Sequence, residues 1–156
     1  MFSNKLICNI LRFIDDNINR KISICEFEEC FFYNRYYIMK LFKREIGISI
    51  VNYINYIRIY NCLNEIRDSN YSMLRIGLNN GFYSLEYFSE MFKSVIGVAP
   101  SIYKQFLNDR GVVDNKKRIN IISNVVFLRE LVSKKKMYLD REKPDKIMMK
   151  KLTIFK

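Results

Sequence analysis

The sequence predicts an all-α fold, and three observations carry that prediction. Apolar residues recur every three or four positions in one segment after another, which is the period of a helix with one buried face. The 156 residues include 5 Gly and 2 Pro, too few for the many tight turns of a β-sandwich or barrel. The residues suited to helix ends stand at the edges of the periodic segments, with Asn34 and Ser84 as N-caps and Gly47 and Gly97 as stops. Hydrophobic residues make up 49% of the chain and aromatics 15%, enough for a packed core in one domain, or one domain with an appendage.

The first predicted helix carries Leu6, Ile7, Ile10, Leu11, Ile14 and Ile18, with Asn9, Arg12, Asp15 and Asp16 between them. The second opens at Ser23-Ile24-Cys25-Glu26, where Ser and Glu three apart can form a capping box. It runs to about Phe31 or Phe32. After a turn at Tyr33-Asn34, a third helix places Tyr37, Ile38, Leu41 and Phe42 on one face and Lys40, Lys43 and Arg44 on the other. A longer helix extends from about Ile50 to Arg67, with Tyr53, Ile54, Ile57, Leu63 and Ile66 inward. At about 1.5 Å per residue it is roughly 27 Å long. Asp68-Ser69-Asn70 breaks it. Ser72 then caps a short helix with Met73, Leu74, Ile76 and Leu78, Asn80-Gly81 turns the chain, and Ser84 caps a helix with Leu85, Phe88, Met91 and Phe92. Pro100 opens a last short helix, at a position where its missing amide costs little.

The third and sixth helices echo one another at an offset of 50. The segment from Asn34 through Tyr37, Phe42-Lys43 and Ile46 to Gly47 aligns with Ser84 through Tyr87, Phe92-Lys93 and Ile96 to Gly97. A duplicated unit of short helix, turn and capped second helix is a tandem helix-turn-helix.

At these residues the chain resembles the DNA-binding domain of the AraC/XylS family of bacterial transcription regulators, over roughly residues 4–106. The most specific part runs from Ser72 to Ile76 through Gly81-Phe82, Tyr87-Phe88-Ser89 and Phe92-Lys93 to Gly97-Val98-Ala99-Pro100 and Tyr103-Lys104. The segment Arg58 to Cys62 is similar to the family's linker helix, with Cys62 where a small Ala is usual. Departures are Glu28 for a small residue, Phe32 for the turn Gly, Asn34 for the Ser cap, Asn55-Tyr56 for a basic pair, and Leu85, Glu86 and Glu90 in the second reading helix. The expected organisation is a DNA-binding domain over residues 1–108 and a basic extension over 109–156.

The resemblance implies a sequence-specific transcription regulator, more often an activator, acting on double-stranded DNA in the bacterial cytoplasm as part of the nucleoid. A helix with its side chains fits the major groove of B-DNA, so two such helices on a stiff linker can enter adjacent grooves about 34 Å apart. The base-reading positions it implies are Arg35, Tyr36, Met39 and Lys40 in the first reading helix and Leu85, Glu86, Ser89 and Glu90 in the second. Lys40 can donate to guanine; Tyr36, Met39 and Leu85 can touch thymine methyls; Glu86 or Glu90 can accept from cytosine. Alternatively, Tyr36 and Met39 are partly core and Glu90 is a surface charge. Phosphate contacts are expected from Lys43, Arg44, Arg58, Lys93 and Lys104, and from the amides behind the Asn34 and Ser84 caps. The expected partners beyond DNA are RNA polymerase or another regulator, with a monomer or weak dimer and no membrane. The alternative reading is an interaction protein that modulates such a partner with weakened DNA reading.

Composition bounds the rest. The chain has no His, which removes Ser-His and Cys-His catalysis and His-containing metal sites. Cys8, Cys25, Cys30 and Cys62 form no CxxC pair and read as reduced, mostly buried thiols, although a four-thiolate site is formally open. No catalytic residue, metal or cofactor is expected, and no apolar run approaches the roughly 18 residues that span a bilayer. The net charge is +11. Residues 1–106 hold 13 basic and 10 acidic residues, a net of +3, and residues 107–156 hold 14 and 6, a net of +8. The extension therefore points to an acidic partner. Ile121, Val125, Leu128 and Val132 are spaced for an amphipathic helix, but β-branched residues from Ile119 onward leave a strand open. The extension can add phosphate contacts, pack on the domain or dimerise, or be the stub of an effector domain.

Overall fold

The computed structural model describes residues 2–141. The expectations about Pro144 and the alternating Lys151–Lys156 segment lie outside the described residues. Among those described, eight α-helices follow one another with no strand: α1 (Phe2–Asn17), α2 (Ile24–Phe31), α3 (Arg35–Ile46), α4 (Ile50–Asp68), α5 (Met73–Asn79), α6 (Leu85–Ile96), α7 (Pro100–Asn108) and α8 (Asn115–Arg141), with a single 3-10 turn at Arg110–Val112. The all-α expectation holds, and the open choice for Ile119–Val132 resolves as helix. The chain divides into two units: the first takes residues up to 54 and from 133 onward, the second residues 55–132.

In the first unit, α2 and α3 form a helix-turn-helix against α1. Ser23 closes the expected capping box: its hydroxyl accepts from the Cys25 amide, and the Glu26 carboxylate accepts from the Ser23 amide at 2.6 Å. Arg20 adds an ion pair to Glu26 at 2.6 Å. Phe13, Phe27 and Phe31 form an aromatic cluster with ring centroids 5.2 to 6.3 Å apart, Phe13 meeting the other two edge to face while Phe27 and Phe31 stack, so the rings gain beyond area burial. Phe42 of α3 meets Tyr53 of α4 edge-on at 5.2 Å. The Tyr53 ring is buried, and its hydroxyl is buried without a hydrogen-bond partner; burial and the nearby Asp15 push its pKa upward.

The second unit repeats this plan. Ser72 caps α5 by accepting from the Arg75 amide, and Ser84 caps α6 by accepting from the Tyr87 amide. The turn between them is held from α4: the Glu65 carboxylate accepts from Asn79 at 2.8 Å and from Asn80 at 2.7 Å. A chain of rings runs through the core, Phe82 to Phe88 at 5.3 Å, Phe88 to Phe92 at 5.7 Å and Phe92 to Tyr103 at 5.6 Å. Gly77 lets α5 approach α6: a Cβ there would lie 3.0 Å from the Phe88 ring. Ile121 and Leu128 of α8 belong to this core, beside Ile59, Cys62 and Phe92. The amphipathic stripe of the extension therefore packs on the domain.

The orphaned hydroxyl gives a stability test. Removing an unsatisfied buried polar group recovers its desolvation cost, on the order of 1 kcal/mol. Tyr53→Phe is expected to raise the chemical-denaturation midpoint with an unchanged slope; a fall in the midpoint contradicts the reading.

Candidate nucleic-acid interface

The geometry of α3 follows from its two ends and its buried face. Asn34 starts it, with Oδ1 accepting from the Tyr36 amide at 2.9 Å. Gly47 stops it in the left-handed conformation at φ 97°, with its amide donating to the Lys43 carbonyl at 2.9 Å. Ile38, Leu41, Phe42 and Ile46 are buried. With 3.6 residues per turn, that burial turns Arg35, Tyr36, Met39, Lys40 and Lys43 outward, and all five are exposed. Tyr36 is 69% exposed, which argues against core packing of its ring, whereas Met39 is 37% exposed and so partly covered. Arg35 lies over the Tyr36 ring at 5.4 Å and donates to the Cys25 sulfur at 3.8 Å. Arg44 is exposed but already pairs with Glu45 at 2.7 Å.

The second reading helix, α6, is built the same way. Phe88, Phe92 and Ile96 are buried, Gly97 ends the helix at φ 95°, and Leu85, Glu86, Glu90 and Lys93 are exposed while Ser84 and Ser89 are half-buried. The two faces differ in charge: α3 presents Arg35, Lys40, Lys43 and Arg44, and α6 presents Glu86 and Glu90 with Lys93 alone as a cation. Lys104 on α7 is half-buried.

Arg58 and Tyr37 stand differently from their sequence expectation, and Phe32 occupies the turn as expected but at a conformational cost. Arg58, expected at a phosphate, is 7% exposed with its guanidinium 5.9 Å from the Phe82 ring centre. Burial lowers its pKa from the ordinary value, and in this position the side chain packs in the second unit instead of reaching out. Tyr37, expected on the inner face of α3, is 49% exposed and stacks on Tyr33 at 5.6 Å. Phe32, in the turn, adopts φ 60° and is 72% exposed, a left-handed conformation that is unusual for a bulky residue.

A paired tyrosine stack becomes visible only in three dimensions. The Tyr33–Tyr37 stack has a counterpart in Tyr83–Tyr87, with centroids 4.7 Å apart and rings within 14° of parallel. Each pair brackets an N-cap, one ring before it and one in the first turn, so each fixes the chain's entry into a reading helix. The signal was present, because the four tyrosines obey the same offset of 50.

The cysteines form no disulfide, with Cys25 exposed and Cys8, Cys30 and Cys62 buried. Among the described residues no group of three or more Cys, Asp or Glu could hold a metal ion, and no helix is long and apolar enough to cross a membrane.

Two capped helices, each with a buried apolar face and an exposed reading face in its own helix-turn-helix, define a DNA-binding transcription regulator. The chain carries a DNA-binding domain of the AraC type. Residues 29–105 match the family model described as a helix-turn-helix domain. The chain is similar to the HTH-type transcriptional activator AarP of Providencia stuartii, 27% identical over 113 residues, which cover 72% of this chain and 82% of that protein. It is also similar to the multiple antibiotic resistance protein MarA of Escherichia coli, 28% identical over 98 residues, covering 63% of this chain and 77% of MarA. In fold it matches the C-terminal domain of AraT, a response regulator from Geobacillus stearothermophilus, with a TM-score of 0.62, 21% identity, and coverage of 64% of this chain and 84% of that domain.

Two substitutions test the interface. Lys43→Ala is expected to reduce the salt slope of DNA binding by about 1, because one counterion fewer is released, whereas Arg58→Met leaves the slope unchanged. A reduced slope for Arg58→Met returns that residue to the interface. Phe32→Gly is expected to stabilise the fold by about 1 kcal/mol through relief of the left-handed strain; a lower melting temperature contradicts this.

Proposed function

We propose that the protein is a sequence-specific transcriptional activator that reads a bipartite, non-palindromic DNA site, one half with each reading helix. The observation that carries this is the exposed row Arg35, Tyr36, Met39 and Lys40 at the N-terminal end of α3, where recognition helices meet base edges. Lys40 donates to a guanine edge and Tyr36 and Met39 contact thymine methyls. Leu85, Glu86, Ser89 and Glu90 form the second row, in which a carboxylate accepts from a cytosine amino group. Lys43, Arg44, Lys93, Lys104 and the amides behind Asn34 and Ser84 hold the backbone. Glu86 and Glu90 are repelled by phosphates, so the second half-site contributes less affinity and more discrimination. Activation is the reading that AarP's name favours, and RNA polymerase or another regulator is then the protein partner. A monomer suffices for a bipartite site.

A second reading has its own support. The exposed acidic pair on α6 and the exposed aromatic Phe32 suit a domain that binds a regulator or polymerase with reduced DNA affinity. Capture of partners with and without nuclease separates the two.

Selection from random duplexes is expected to return two conserved boxes. Lys40→Ala then relaxes a guanine in one of them, at a cost of about 1–3 kcal/mol, and leaves the other box unchanged. Selection that returns no preferred sequence removes the proposal.

A further inference from the structure

We infer that α8 positions both reading helices by holding their C-terminal carbonyls, with Asn124, Lys134 and Tyr138 as the positioning residues; this inference rests on the DNA-reading function proposed above. The last four carbonyls of a helix have no partner within it. The glycine caps satisfy one in each case, through Gly47 to Lys43 and Gly97 to Lys93. Side chains of α8 take up others. In the first unit Lys134 Nζ donates to the Ile46 carbonyl at 3.0 Å, and the Tyr138 hydroxyl donates to the Glu45 carbonyl at 3.3 Å. In the second unit Asn124 Nδ2 donates to the Ile96 carbonyl at 3.1 Å.

Ile46 and Ile96 are the same position of the internal repeat, the last residue of each reading helix. Two residues of α8, ten apart in sequence, thus serve one structural position twice. The chemistry differs with the site. Lys134 brings a cation to the negative end of α3, which the helix dipole favours, and Asn124 brings a neutral amide to α6. Asn120 lies beside Asn124 on α8 and against the end of α6: a Cβ on Gly97 would stand 2.7 Å from its Nδ2.

The donors are themselves anchored. Ile121 and Leu128 are fully buried in the second unit. In the first, Lys135 pairs with Asp15 at 3.0 Å, and the Cys8 thiol donates to the Tyr138 carbonyl at 3.2 Å. None of these α8 residues lies within the matched helix-turn-helix region, residues 29–105, so the extension adds a support that the domain lacks.

A reading helix of 12 residues is roughly 18 Å long. A tilt of about 10° at its C-terminal end displaces the N-terminal reading residues by roughly 3 Å, and productive polar contacts tolerate about 0.5 Å. Loss of the α8 donors therefore costs base discrimination more than general attraction to DNA.

The test uses the full chain and three duplexes: the selected site, and the same site with one or the other box scrambled. Discrimination is the ratio of affinities for the intact and scrambled duplex, which cancels the loss of one positive charge. Lys134→Met with Tyr138→Phe is expected to lower discrimination at the α3 box about fivefold, the worth of the hydrogen bonds lost, and to leave the α6 box alone. Asn124→Ala does the reverse, and Lys134→Arg restores the α3 box. If the double variant does not fold, Tyr138→Phe alone, which removes one hydroxyl, takes its place with an expected loss of about twofold. Ratios that stay at the wild-type value, or that fall equally at both boxes, overturn the inference while the reading function stands. A wild-type protein without discrimination at either box overturns both.

Discussion

Burial on one side of each reading helix is the constraint on which everything else depends. Ile38, Leu41, Phe42 and Ile46 on α3, and Phe88, Phe92 and Ile96 on α6, are inside their own units. A helix has one rotational setting that buries such a stripe, and the opposite side must then face outward. The proposed recognition residues are therefore placed mainly by the burial of their neighbours. They are exposed because the residues between them are buried. The caps set where each helix begins, which decides which residues occupy the first turn, the part of a recognition helix that generally meets base edges.

The two copies share this constraint and differ in surface chemistry. The first presents cations and aromatics, the second carboxylates and one lysine. Non-specific attraction to DNA comes from positive charge, so in the proposed function the first copy is the one suited to supply more of the affinity. A carboxylate in the second copy pays off only where it meets a donor on a base. The same scaffold thus carries one half suited to holding and one suited to choosing. Side chains of α8 complete each scaffold at the C-terminal end of α3 and of α6.

Much of this was legible in the residues, for a local reason. Ser23, Asn34, Ser72 and Ser84 act within two or three residues of themselves, and Gly47 and Gly97 satisfy a local need for φ above zero. Cap and period together fix a helix from its own sequence, and the repeat at 50 doubled the signal. What the sequence concealed was set by residues far away. Arg58 has the position of a linker-helix cation, yet the Phe82 ring lies beneath its guanidinium. Tyr37 has the period of a core residue, yet its ring leaves the core to stack on Tyr33. The extension could be read as strand or helix because its β-branched residues suit both, and contact with Ile96 and Ile46, 28 and 88 residues away along the chain, gives the helix its place. The left-handed backbone at Phe32 had a sequence signal too, because Phe32 stands where the resembling family has its turn Gly, and the fold keeps the Gly conformation under a bulky side chain.

Hydroxyl-radical footprinting on a selected duplex tests the central claim most directly, because it reports where the protein lies on the backbone without assuming which bases it reads. The account predicts two protected windows on one face of the helix, centred about 10 base pairs apart, with the window assigned to α3 lost first as salt is raised in Lys43→Ala. A single window, or protection spread without phase along the duplex, contradicts it.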